Sequence, residues 1–85
     1  MIQLIDFWAP WCNPCKMMAP VIEELEKELA GKVEFVKVDV DENQADASKY
    51  GVMSIPTVVV LKDGKEVGRK IGAASKAELL KLING

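Results

Sequence analysis

Cys12 and Cys15 are the only cysteines in 85 residues, two positions apart and separated by Asn13-Pro14. A C-x-x-C pair of this kind is suited to thiol–disulfide exchange. It follows an apolar run that reads as a buried strand (Ile2 to Trp8). It precedes a run with the spacing of an amphipathic helix (Met17 to Leu29). Only the thiolate attacks a disulfide, and unpaired N–H groups and the positive dipole end at a helix N-terminus favour that form. A second cysteine one turn later lies close enough to close a disulfide or to expel a bound partner.

Other uses of the pair fit less well. A structural cross-link stabilises in proportion to the loop it closes, and a two-residue loop is close to the smallest possible. A zinc site takes three or four protein ligands, whereas this chain has two cysteines and no histidine. The same absence removes any Cys–His nucleophilic arrangement. Two ordinary core cysteines would not be joined by Asn-Pro, which reads as a turn. Asp6 is the other anomaly. It is a carboxylate in a mostly apolar strand six residues before Cys12, and it reads either as a frayed strand end or as a desolvated acid with a raised pKa that relays protons beneath the dithiol.

The elements that must position these groups belong to one small domain, residues 1–85. With 49% apolar and 28% charged residues, the composition is that of a globular protein. The net charge of −2, with both signs interspersed, gives no footprint for nucleic acid or an anionic membrane. No apolar run approaches the roughly 20 residues of a spanning helix. No basic, then apolar leader precedes the first strand. A cytoplasmic location is therefore expected, and there a C-x-x-C pair is catalytic more often than structural.

Along the chain, both alternating sets of Ile2–Trp8 are mostly apolar, which predicts a strand covered on both faces. The first helix should begin at Asn13 or Pro14, bury Met18, Val21, Ile22, Leu25 and Leu29, kink at Pro20 and stop at Gly31. A second strand, Val33 to Val40, follows by a right-handed crossover and should pair in parallel with the first. Asp41-Glu42-Asn43 offers a cap for a short helix over residues 43–50. A third strand, Thr57 to Leu61, turns at Asp63-Gly64 into an antiparallel fourth, Glu66 to Ile71. Pro56 stands at a strand start, and base rates favour a trans bond before it. Ser75-Lys76-Ala77-Glu78 is a capping box opening the last helix. The order β-α-β-α-β-β-α predicts an α/β fold.

The stretch Asp6-Phe7-Trp8-Ala9-Pro10-Trp11-Cys12-Asn13-Pro14-Cys15-Lys16 resembles the thioredoxin family. The likeness continues through Val36-Lys37-Val38-Asp39, Tyr50-Gly51-Val52, Ile55-Pro56-Thr57 and Ile71-Gly72-Ala73. It implies a thioredoxin fold: a four-stranded mixed sheet in the order second–first–third–fourth, with helices on both faces. It implies a protein-disulfide reductase acting through Cys12, an exposed nucleophile, and Cys15, a buried resolving thiol. Asp6 would exchange protons with Cys15, and Lys37 would be its ion-pair neighbour on the adjacent strand. Pro56 would be a cis-proline facing the dithiol. Trp11, Ile55, Pro56, Gly72 and Ala73 would form a flat apolar groove for an extended substrate segment, which pairs with the backbone at Ile55. No cofactor beyond the Cys12–Cys15 disulfide and no metal is implied. The partners would be protein disulfides and an external reductase of the thioredoxin-reductase type.

Two departures stand out. The family's usual Gly-Pro between the cysteines is Asn13-Pro14 here, so Asn13 and Pro14 become candidate tuners of the reduction potential. Stabilising the reduced dithiol makes such a protein more oxidising. The family also usually begins with a further strand and helix, so the second strand should be a sheet edge and one sheet face should lose cover. Gln3 should then neighbour Glu34 on that face as a polar adaptation, leaving a monomer. The rival readings are an oxidant or isomerase on the same scaffold and a non-catalytic binding module using the same groove.

Overall fold

In the computed structural model of residues 1–85, the first strand, β1 (Ile2–Trp8), lies in the centre of the sheet. It pairs in parallel with β2 (Val33–Asp39) and antiparallel with β3 (Thr57–Lys62). β4 (Lys65–Ile71) pairs antiparallel with β3, and the order is β2-β1-β3-β4. The three helices are α1 (Asn13–Glu28), α2 (Gln44–Lys49) and α3 (Lys76–Asn84). The predicted topology is therefore observed, with strand limits moved by a residue at most.

The two faces of β1 bury different partners. Leu4 packs with Val33, Val58 and Val60 against Met18, Ile22 and Leu25 of α1 and Leu79 and Ile83 of α3. Each such side chain contributes about 2 kcal/mol by leaving water. On the opposite face, Ile5, Phe7, Val38, Val59 and Leu61 pack beneath α2, with Ala47 and Tyr50 at the margin. Helices thus cover both faces, but α2 is short, and the end of its face that carries Gln3 and Glu34 is open. These two residues are register partners on β1 and β2, and the Gln3 amide donates to a Glu34 carboxylate oxygen at 2.7 Å.

Local chemistry explains the joints. Asp63 and Gly64 both have positive φ (52° and 83°), as a two-residue hairpin between Lys62 and Lys65 requires. Ser75 accepts the Glu78 N–H, and the Glu78 carboxylate accepts the Ser75 N–H, closing the capping box. Gly68 leaves room for the Leu82 side chain of α3, since a Cβ there would lie 2.7 Å from Leu82 Cδ1. Lys76 ties α3 to α1 through Glu24 (2.7 Å) and Glu28. Two local expectations fail. Asn43 is the N-cap of α2 but makes no side-chain cap; its amide donates instead to the Asp39 carbonyl at 3.1 Å, which fastens the loop to the end of β2. The Ile55–Pro56 bond is cis, as the family resemblance implied and against the base rate.

Candidate functional site

The site begins where β1 ends. Ala9 leaves the strand fully buried, and the Cys12 N–H returns to its carbonyl at 3.1 Å, turning the chain into α1. Cys12 is the N-cap of α1, with extended backbone, and Pro14 occupies the first turn, where its missing N–H has no helical partner to lose. The Cys15 N–H donates to Cys12 Sγ at 3.2 Å. The sulfur thus occupies the place a serine or aspartate oxygen takes in an ordinary cap. Cys12 and Cys15 are joined as a disulfide, with Cα atoms 5.3 Å apart, within the range a bridge requires.

Exposure does not separate the two cysteines as expected. Cys12 is 5% exposed and Cys15 7%. Both pack with Ala9 in a small cluster flanked by Trp8, Val40 and Ile55. In the disulfide form the bridge draws Cys12 against the helix end, so an exposed nucleophile is not seen. What separates the cysteines is their neighbours. Cys12 Sγ takes the helix N–H, whereas Cys15 lines a cavity of about 150 Å³ together with Asp6, Trp8, Lys16, Ala19 and Lys37.

Asp6 is buried at the wall of that cavity, which removes the frayed-end reading. Burial pushes its carboxyl from 3.8 up to about 6, with the Lys37 charge pulling in the opposite direction. Lys37 is Asp6's register partner on β2 and lines the same cavity. The expected ion pair is absent: the salt bridges join Met1–Asp63, Glu66–Arg69, Lys70–Glu78 and Lys76 with Glu24 and Glu28. Lys37 is exposed and keeps its ammonium in water, acting on Asp6 by field rather than by contact. Burial therefore outweighs the field of Lys37 and leaves a carboxyl that changes charge just below neutral pH.

On the other side of the dithiol, Trp11, Val40, Ala47, Val52, Met53 and Ile55 wall a groove of about 340 Å³, and Ile55 also touches the cysteine cluster. The exposed Trp11 indole is held by its N–H, which donates to an Asp41 carboxylate oxygen at 2.7 Å. Two predicted groove members differ from expectation. Pro56 is fully buried at the start of β3, so it shapes the groove from beneath rather than lining it. Gly72 and Ala73 lie outside these walls. They connect to the groove through the Gly72 N–H, which donates to the Pro56 carbonyl at 2.8 Å, and φ of 92° at Gly72 favours a glycine. Asn13 and Pro14 are both exposed beside Cys12.

Sequence reasoning missed Asp41, Val40, Ala47, Val52 and Met53. Nothing local marks Asp41 as a partner for an indole 30 residues away. Met53 carried one signal, a large apolar residue in a loop just ahead of Pro56. No group of three or more His, Cys, Asp or Glu is placed to hold a metal ion, and no helix is long and apolar enough to cross a membrane.

The thioredoxin family model matches residues 1–85. The chain is 59% identical over 83 residues to a thioredoxin of Bacillus subtilis, spanning 98% of this chain and 80% of that one. It is 54% identical over 81 residues to a thioredoxin of Haemophilus influenzae, spanning 95% and 76%. Among solved structures, the fold superposes on Fasciola hepatica thioredoxin with a TM-score of 0.90 at 48% identity, covering 98% of this chain and 78% of that one. Joined to a C-x-x-C pair bridged at the N-terminus of α1, these findings show that the chain belongs to the thioredoxin family and is a thiol–disulfide oxidoreductase that reduces protein disulfides, with the Cys12–Cys15 pair itself as the redox group.

Proposed function

We propose that Cys12 is the attacking sulfur and Cys15 the resolving one, within one domain spanning residues 1–85. The observation that carries this division is the asymmetry of their neighbours: the Cys15 N–H points at Cys12 Sγ, and the Asp6 cavity opens on Cys15. A helix N-terminus favours the thiolate at Cys12. That thiolate attacks one sulfur of the substrate disulfide and expels the other, which leaves as a thiolate and takes a proton from solvent. Asp6, largely ionised at neutral pH, then accepts the Cys15 thiol proton through the cavity. The Cys15 thiolate attacks Cys12 Sγ, the second substrate sulfur leaves, and the Cys12–Cys15 disulfide forms. Two electrons have passed from the dithiol to the substrate.

Lys37 favours the ionised form of Asp6 and so lowers the pH at which it can accept a proton. Trp11 and Ile55 receive the substrate segment, with Pro56, Gly72 and Ala73 setting the groove's floor and rim. Asn13 and Pro14 bias the potential through the turn they impose on Cys12. The cycle closes when an external reductase of the thioredoxin-reductase type returns two electrons. Protein disulfides are the substrates, the location is cytoplasmic, and the chain acts as a monomer.

The test is trapping. With Cys15→Ser, a mixed disulfide between Cys12 and a protein substrate accumulates on non-reducing gels. With Cys12→Ser it does not. Equal trapping by both variants would reverse or abolish the division of roles.

A further inference from the structure

Met53 is the most exposed large apolar side chain of the protein, at 98%. It stands on the wall of the Trp11–Ile55 groove, two residues from Ile55, which touches the cysteine cluster. A thioether fully in water gains nothing from burial, so its position is not explained by the core. Its flexible, polarisable chain suits contact with varied apolar surfaces. The same exposure makes it open to oxidation. In the disulfide form the cysteine sulfurs are bonded and nearly buried, which leaves Met53 as the accessible sulfur on this groove.

We propose that Met53 is a site of reversible sulfoxidation that weakens docking of protein disulfides, which rests on the reading of this groove as the substrate surface. The oxidant class is a peroxide. One oxygen atom passes from hydrogen peroxide to the thioether sulfur; the sulfur loses two electrons and the peroxide becomes water. The product is a polar sulfoxide in a groove whose other walls are almost all apolar. Its oxygen must keep its hydrogen bonds to water, so a substrate's apolar side chain can no longer displace that water without loss. Enzymes of the methionine sulfoxide reductase class return the thioether, which makes the change a switch.

The other methionines provide internal controls. Met17 is 76% exposed on α1 but does not wall the groove, and Met18 is 3% exposed in the core. The oxidised protein is treated with hydrogen peroxide, the peroxide is removed, and sulfoxides are mapped by peptide mass spectrometry. The dithiol is then regenerated with dithiothreitol, and reduction of insulin disulfides is compared with that of a small aromatic disulfide. Each protein is compared with itself before and after treatment. Met53 should be oxidised and Met18 should not. KM for insulin should rise about tenfold with kcat little changed, the low end of what losing one apolar contact is worth. The small disulfide should be reduced as before. Met17→Leu should respond like the wild type, and Met53→Leu should show no rise in KM on treatment.

An equal rise in Met53→Leu overturns the proposal. So does full sulfoxidation at Met53 with KM unmoved, when Trp11→Ala raises KM in the same assay. If Trp11→Ala also leaves KM unmoved, the groove is not the substrate surface and the proposal falls with it.

Discussion

Replacing Asp6 by Asn should stabilise the protein, and by an amount that depends on pH in a defined way. Burial raises the Asp6 carboxyl from 3.8 to about 6 in the folded chain. The unfolded chain carries an ordinary aspartate. Between these two values the folded state holds a proton that the unfolded state has released, so stability falls as pH rises through this interval. Above about pH 6 the cost is complete, and below about pH 4 it is absent. A separation of this size corresponds to roughly 3 kcal/mol at pH 8. For a domain of this length that is a rise in Tm of roughly 10–20 °C. Asn keeps the shape and cannot ionise. Any cost of seating its amide is the same at every pH and does not imitate the effect.

The assay is urea unfolding of the oxidised wild type and Asp6→Asn from pH 4 to pH 8, with the disulfide intact in both. The other shifted groups, among them Glu78, held down near 2 by Lys70 and Ser75, titrate alike in both proteins and cancel in the difference. The difference should be near its floor at pH 4, grow through pH 5 and 6, and level off by pH 7. A difference that does not change with pH would refute the desolvation argument. The same variant should resolve mixed disulfides more slowly near neutral pH, since no carboxylate remains to accept the Cys15 proton. Resolution that is equally fast at every pH would remove Asp6 from the mechanism.

Other outcomes follow from single contacts. Gly68→Ala puts a methyl 2.7 Å from Leu82 Cδ1, the far end of a side chain that can turn aside, and should cost no more than about 1 kcal/mol by urea unfolding; a loss of about 3 kcal/mol would show that Leu82 is locked in place. Asp41→Ala frees the Trp11 indole from its 2.7 Å hydrogen bond. It should raise KM for protein disulfides and alter Trp11 fluorescence, whereas KM equal to wild type would mean that the indole needs no anchor. Light scattering should find a monomer, because the Gln3–Glu34 pair marks the open face as solvated. A stable dimer pairing through Val33–Asp39 would overturn that.

The separation between what was readable in sequence and what was not follows the range of the interactions involved. Strand β1, the N-terminus of α1, the Asp63-Gly64 hairpin and the Ser75–Glu78 box were legible because each is decided within a few residues, by periodicity, by a proline in the first turn, by two positive φ values, or by reciprocal caps. The register that sets Asp6 beside Lys37 was implied by the family resemblance and compatible with strand alternation, and Gln3 beside Glu34 followed from it. Asn43 was misjudged because its amide found a carbonyl on β2 that no local rule supplies.

The C-x-x-C pair at a strand-to-helix junction pointed to thiol–disulfide chemistry, since helix polarity and cysteine spacing are local properties, and the family motifs around it made that reading specific. Tertiary structure decided how that chemistry is steered. It buries both sulfurs in the disulfide form and gives Asp6's cavity to Cys15 rather than Cys12. It leaves Lys37 to act across a gap, sinks Pro56 beneath the groove, and brings Asp41 to Trp11. Desolvation, field strength and side-chain reach depend on what lies across space, and a residue's neighbours along the chain do not record it.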